Sequence, residues 1–152
     1  MNIALQPFLW FGVVGFPVSE ANAVGFGLFA LLLVVGAGYW WAKLRQLAAP
    51  AAGLPYLRGF IGARVVTAVV LVAGLVFVVV EVAVAPGRGS WPGLGFGLFA
   101  ALEYVNYFFV QLMYDNKADL RYLFTHGLRR SHLAADIARG KSGERHMSWA
   151  EV

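Results

Sequence analysis

The 152-residue chain is 60% hydrophobic and 13% charged, with a mean hydropathy of +0.68, which leaves a soluble domain of this size too little polar surface to cover its core. The absence of cysteine excludes disulfides, iron–sulfur clusters and thiolate metal sites. A net charge of +4 would suit a nucleic-acid binder, but the basic residues flank hydrophobic runs, as in a membrane protein.

In chain order, the first hydrophobic segment is Ile3–Val18. At 16 residues, with Pro7 and Pro17 limiting its helix, it reads either as a short span or as a helix in the outer interface with Trp10 at headgroup depth. Ala21-Asn22-Ala23 resembles a signal-peptidase site, but no basic region precedes the apolar run. Three longer runs reach the roughly 20 residues that a hydrocarbon core requires. They are Val24 to about Trp41, preceded by Ser19 and Glu20 as N-cap and first turn; Val65–Ala85, ended by Pro86; and Trp91–Tyr114, with Pro92 in its first turn. The expected fold is therefore an all-α integral membrane protein: three transmembrane helices over 1–115, a short N-terminal hydrophobic helix that is a possible fourth span, and a basic amphipathic tail over 116–152.

Charge orients these spans. Lys43, Arg45, Arg58 and Arg64 fall between the first and second. Lys117, Arg121, Arg129, Arg130, Arg139, Lys141 and Arg145 follow the third, and only Arg88 lies between the second and third. Eleven of the twelve basic residues thus share one side, which the positive-inside rule makes cytoplasmic. The expected location is the cell membrane. GFGLFALLL at 25–33 echoes GFGLFAALE at 95–103. A true duplication would make the chain two tandem hairpins and would require 3–18 to span. The alternative is that these residues are simply common in membrane helices.

The third span carries the polar groups. At 100° per residue Phe96, Phe99, Ala100, Glu103, Asn106, Tyr107, Val110 and Tyr114 share a face, with Gln111 at its edge. Gly93 and Gly97 form a GxxxG pair where another helix can approach closely. A charge near mid-membrane costs at least a few kcal/mol, so Glu103 must be protonated, hydrogen-bonded or facing water. Glu103, Asn106, Tyr107, Gln111 and Tyr114 are the candidate helix-contact, ion or substrate residues. No Lys, Arg or His falls inside the predicted spans.

After the third span, Asp119–Gly140 reads as two short helices with a weak point at Gly127. Leu120, Leu123, Phe124 and Leu128 form an apolar stripe, and Ser131 is placed to cap the second helix, ending at Gly140. Residues beyond Gly140 read as flexible. Arg121, Arg129 and Arg130 are candidate ligands for anionic lipid headgroups. The histidines all lie in this tail and are too irregularly spaced for a zinc site. No phosphate-binding loop, metalloprotease or nucleophile-elbow motif occurs, and neither a cofactor nor nucleic acid is expected. The absence of catalytic motifs favours a small non-catalytic subunit or assembly component of a membrane complex. A small oligomeric transporter or channel using Glu103 as a proton or cation site competes with it, and a lipid-modifying enzyme is weaker.

Overall fold

The computed structural model describes residues 2–49, 54–112, 121, 125 and 127–149. All regular structure among them is helical. α1 (Asn2–Pro7) runs directly into a π-helical segment (Phe8–Val13), followed by α2 (Glu20–Ala48), α3 (Leu57–Val84), α4 (Trp91–Phe108) and α5 (His132–Trp149). Two of these, α2 and α3, are long and apolar enough to cross a membrane. A soluble protein buries such helices, yet only 33% and 17% of their apolar windows are buried within the chain. Val65, Val66, Val69, Val72 and Val76 of α3 are each more than half exposed.

Three boundaries differ from those expected. α2 and α3 extend well beyond their apolar cores, so that Lys43 and Arg45 ride on the last turns of α2, and Arg58 and Arg64 on the first turns of α3. α4 ends at Phe108, six residues before Tyr114, at 18 residues or about 27 Å. The N-terminal helical run, six α-helical and six π-helical residues over 2–13, is at most about 18 Å long, well short of the roughly 30 Å of a hydrocarbon core. A full-length counterpart of α3 is therefore missing from the first half of the proposed repeat.

The chain divides into two compact units, residues 1–35 with 65–103, and residues 36–64 with 104–152. In the first, α2 and α4 start side by side and run parallel. Ser19 caps α2, its hydroxyl accepting from Asn22 N–H at 3.2 Å and donating to the Gly89 carbonyl. Asn22 is fully buried and fully used. Its amide donates to the carbonyls of Pro17 (2.9 Å) and Arg88 (3.0 Å), and its oxygen accepts from Gly93 N–H (2.8 Å). One side chain thus ties two loops to two helix starts, where an unsatisfied buried amide would be destabilising.

The glycines make the close approach possible. A Cβ on Gly25 would lie 2.0 Å from the Gly93 carbonyl oxygen, and one on Gly93 would lie 2.2 Å from that of Ala21. Gly97 packs instead against Leu75 of α3. The two copies of GFGLF meet across this contact: Phe26 packs edge-on against Phe96 at 5.6 Å, and Phe29 against Phe99 at 5.6 Å. Trp10 and Phe16 join the same cluster through Phe96. Gly15 turns the chain toward it with φ +71°, a conformation that glycine adopts without strain.

Candidate functional site

The second unit holds the ends of α2 and α4, the start of α3, and α5. α4 stops because its own side chains and the returning chain take over its last backbone groups. Asn106 Oδ1 accepts from Leu112 N–H at 2.8 Å, an alternative to helix that Asn offers readily. Val110 forms an isolated antiparallel bridge with Arg130. Gln111 N–H donates to the Arg129 carbonyl and Ser131 N–H to that of Phe109. The bridge fixes a reversal that Gly127, with φ +78°, lets the chain enter. Val110 and Gln111 therefore lie beyond the helix on which the sequence pattern put them.

Ser131 caps α5 as expected, accepting from Ala134 N–H at 3.2 Å and donating to the Tyr107 carbonyl at 2.6 Å. The helix does not end at Gly140; it continues to Trp149. A Cβ on Gly140 would lie 2.0 Å from Leu57 Cδ2, so that glycine serves close packing rather than termination. Leu133, Asp136 and Ile137 are buried on α5, at the spacing of one helix face.

Asp136 is the chemical centre of this unit. Its side chain is 2% exposed. Oδ2 accepts from the Tyr39 hydroxyl at 3.0 Å and from Lys43 Nζ at 2.8 Å, while Oδ1 accepts from Arg139. Lys43 also donates to Gln46 Oε1 at 2.9 Å. Burial by itself pushes the carboxyl up. Donors from Lys43, Arg139 and Tyr39, with the Lys43 charge, outweigh it and hold Asp136 below the ordinary carboxylate range. Sequence reasoning misses this quartet because Lys43 and Tyr39 lie 93 and 97 residues from Asp136 and Lys43 falls outside the apolar run. One signal was available: Asp136 stands among Leu133, Ile137 and Gly140, where a solvated acid does not belong.

The expected polar face of α4 is not drawn together. Glu103 is half-buried beside exposed Phe99, Leu102 and Val105, and no other described residue hydrogen-bonds or ion-pairs with its carboxyl. Asn106 serves its own helix end. Tyr107 packs against Gly36, where a Cβ would lie 2.5 Å from its hydroxyl. Gln111 sits in the reversal, and Tyr114 lies outside the described residues, as do Leu120, Leu123 and Phe124 of the expected tail stripe. Of the three basic candidates, Arg121 is exposed and its carbonyl accepts from Thr125. Arg129 contributes its carbonyl to the reversal. Arg130 lines a pocket with Arg64, Phe108, Phe109 and part of α5. Among the described residues no cluster of His, Asp and Glu has the makings of a metal site. Comparison with known protein families, characterised proteins and solved structures finds no match to this chain.

Proposed function

We propose that the chain is a multi-pass protein of the cell membrane, with α2, α3 and α4 crossing and the C-terminal segment cytoplasmic, and that it works as a non-catalytic subunit of a larger membrane assembly. The observation that carries the reading is Glu103. A carboxyl set among exposed apolar side chains, with no donor from the described residues, is costly in lipid and is relieved by a donor on a facing chain. The exposed valine face of α3 supports the membrane placement, since such a surface is stable only against lipid or another apolar helix. Of the polar side chains that share the face of Glu103 on α4, Asn106 is used to end the helix and Tyr107 packs against Gly36 instead.

The test is purification in mild detergent with mass analysis of what stays bound, on the wild type and two variants. Glu103→Gln keeps a donor and an acceptor of nearly the same shape. It should retain the partner, because a membrane helix–helix hydrogen bond contributes only about 0.6–2 kcal/mol and Gln replaces it. Glu103→Leu should release the partner, roughly 3–30-fold by the same figures. Retention of the partner by the Leu variant would remove Glu103 from the interface. A homo-oligomer whose proteoliposome flux is abolished by Gln, with assembly intact, would establish the proton- or cation-site reading in its place, since an amide cannot cycle a charge.

A further inference from the structure

We propose that the pocket bounded by Arg64 and Arg130 binds the anionic headgroup of a membrane phospholipid. The inference rests on the membrane placement proposed above, but not on the identity of any partner subunit. The cavity has a volume of about 410 Å³, within the range of about 300–1,000 Å³ typical of small-ligand sites. Arg64 enters from α3 and Arg130 from the segment bridged to Val110. Phe108, Phe109, Ala134 and Ile137 supply apolar walls.

Three features select the occupant. The first is charge: the two guanidinium groups make no hydrogen bond or ion pair with another described residue, and no acidic side chain among the described residues lines the cavity. Asp136, on the adjoining turn of α5, has both oxygens engaged by Tyr39, Lys43 and Arg139, so it does not neutralise them. Two planar forks that no described acid compensates match the oxygens of a phosphodiester.

The second feature is preorganisation. Arg64 lies over the Phe109 ring, its guanidinium carbon 4.5 Å from the centroid, a cation–π contact that holds the charge against an apolar wall while leaving its N–H edge free. The Tyr104 hydroxyl donates to the Arg64 carbonyl at 3.0 Å, fixing the backbone beneath it.

The third is depth. The same unit exposes Trp40, Trp41 and Tyr56, with Arg45 stacked 3.9 Å over Trp41 and Tyr56 stacked on the same ring. Aromatic and cationic side chains of this kind collect at the membrane–water interface. A pocket in the same unit, charged on two sides and apolar elsewhere, suits the phosphate and glycerol of a lipid better than a free hydrated anion.

The experiment compares wild type, Arg64→Gln/Arg130→Gln, Arg64→Lys/Arg130→Lys and Arg45→Gln, purified in mild detergent. Each is titrated with a short-chain phosphatidylglycerol below its micelle concentration, with the matching phosphatidylcholine, and with inorganic phosphate. Binding is read by thermal shift and by native mass spectrometry. Wild type and Arg45→Gln should bind phosphatidylglycerol and shift upward in melting temperature. The double Gln variant should lose at least about tenfold in affinity, as expected when hydrogen bonds to a charged group are removed. The Lys pair, which keeps charge and stem, should fold as the wild type does and bind with intermediate affinity. The proposal is overturned if phosphatidylcholine binds equally, if inorganic phosphate alone reproduces the full shift, or if the double Gln variant binds as Arg45→Gln does. Alkaline carbonate extraction of cell membranes separates the two readings: release of the chain would defeat the membrane placement, while the titration reports on the pocket itself.

Discussion

At the scale of single residues, the second unit is organised around a buried acid that joins chain segments nearly a hundred residues apart. Asp136 holds α5 to the end of α2 through Tyr39 and Lys43, and both partners of the ion pair are largely buried. Removing one partner of such a pair leaves a buried charge uncompensated, at a cost of about 3 kcal/mol or more. Asp136→Asn should therefore lower the melting temperature and expose α5 to limited proteolysis. Asp136→Asn combined with Lys43→Gln should recover part of the loss, because neither charge is then stranded. The pH dependence has a defined sign. A carboxyl held below its ordinary value contributes stability that is fully present above about pH 4 and is lost as the pH falls through the folded-state value. A melting curve that declines below pH 4 in the wild type should be flatter there in Asp136→Asn. Equal acid sensitivity in both would remove Asp136 from the α2–α5 linkage.

At the scale of elements, the glycines divide into those that hold helices together and those that merely occupy helix. Gly93 approaches backbone, which cannot move aside as a side chain can, whereas nothing lies within 4 Å of a Cβ at Gly95. Gly93→Ala should push α2 and α4 apart and destabilise by about 1–3 kcal/mol, the usual cost of overpacking. Gly95→Ala should be neutral or stabilising by up to about 1 kcal/mol, because Ala is the better helix former. Thermal unfolding of both in detergent checks the pair, and equal destabilisation would refute the Gly93 contact. This contact was legible in the sequence as small residues at helical spacing, as were the caps at Ser19 and Ser131. The end of α4 was not. Apolar character continues through Phe109, Val110 and Leu112, and only Asn106 bonding forward to Leu112, with backbone partners arriving from Arg129 and Ser131, explains why the helix stops. Hydropathy registers which residues prefer lipid, but not a backbone partner delivered from twenty residues further on. The charge of Arg130 marks it in the sequence; its companion Arg64 is hidden there because the apolar run starts at Val65, whereas the helix starts at Leu57.

At the scale of the whole molecule, the topology proposed above rests on the eleven-to-one partition of basic residues. The loop bearing Arg88 and the start of α2 belong together: Asn22 donates to the Arg88 carbonyl and Ser19 to that of Gly89. If α2 and α3 both cross, this end lies on one side of the membrane, and the ends bearing Lys43, Arg45, Arg58 and Arg64 lie on the other. On the topology proposed above, in which α4 crosses as well, the charge bias makes the Arg88 side external. The chain has no cysteine of its own, so single cysteines report position cleanly. Arg88 and Ala49 are exposed, and Arg88→Cys also removes the one basic residue that opposes the bias. In intact cells an impermeant thiol reagent should label Arg88→Cys at once and Ala49→Cys only after permeabilisation. The opposite pattern would invert the molecule in the membrane, and equal labelling of both in intact cells would mean that α2 does not cross.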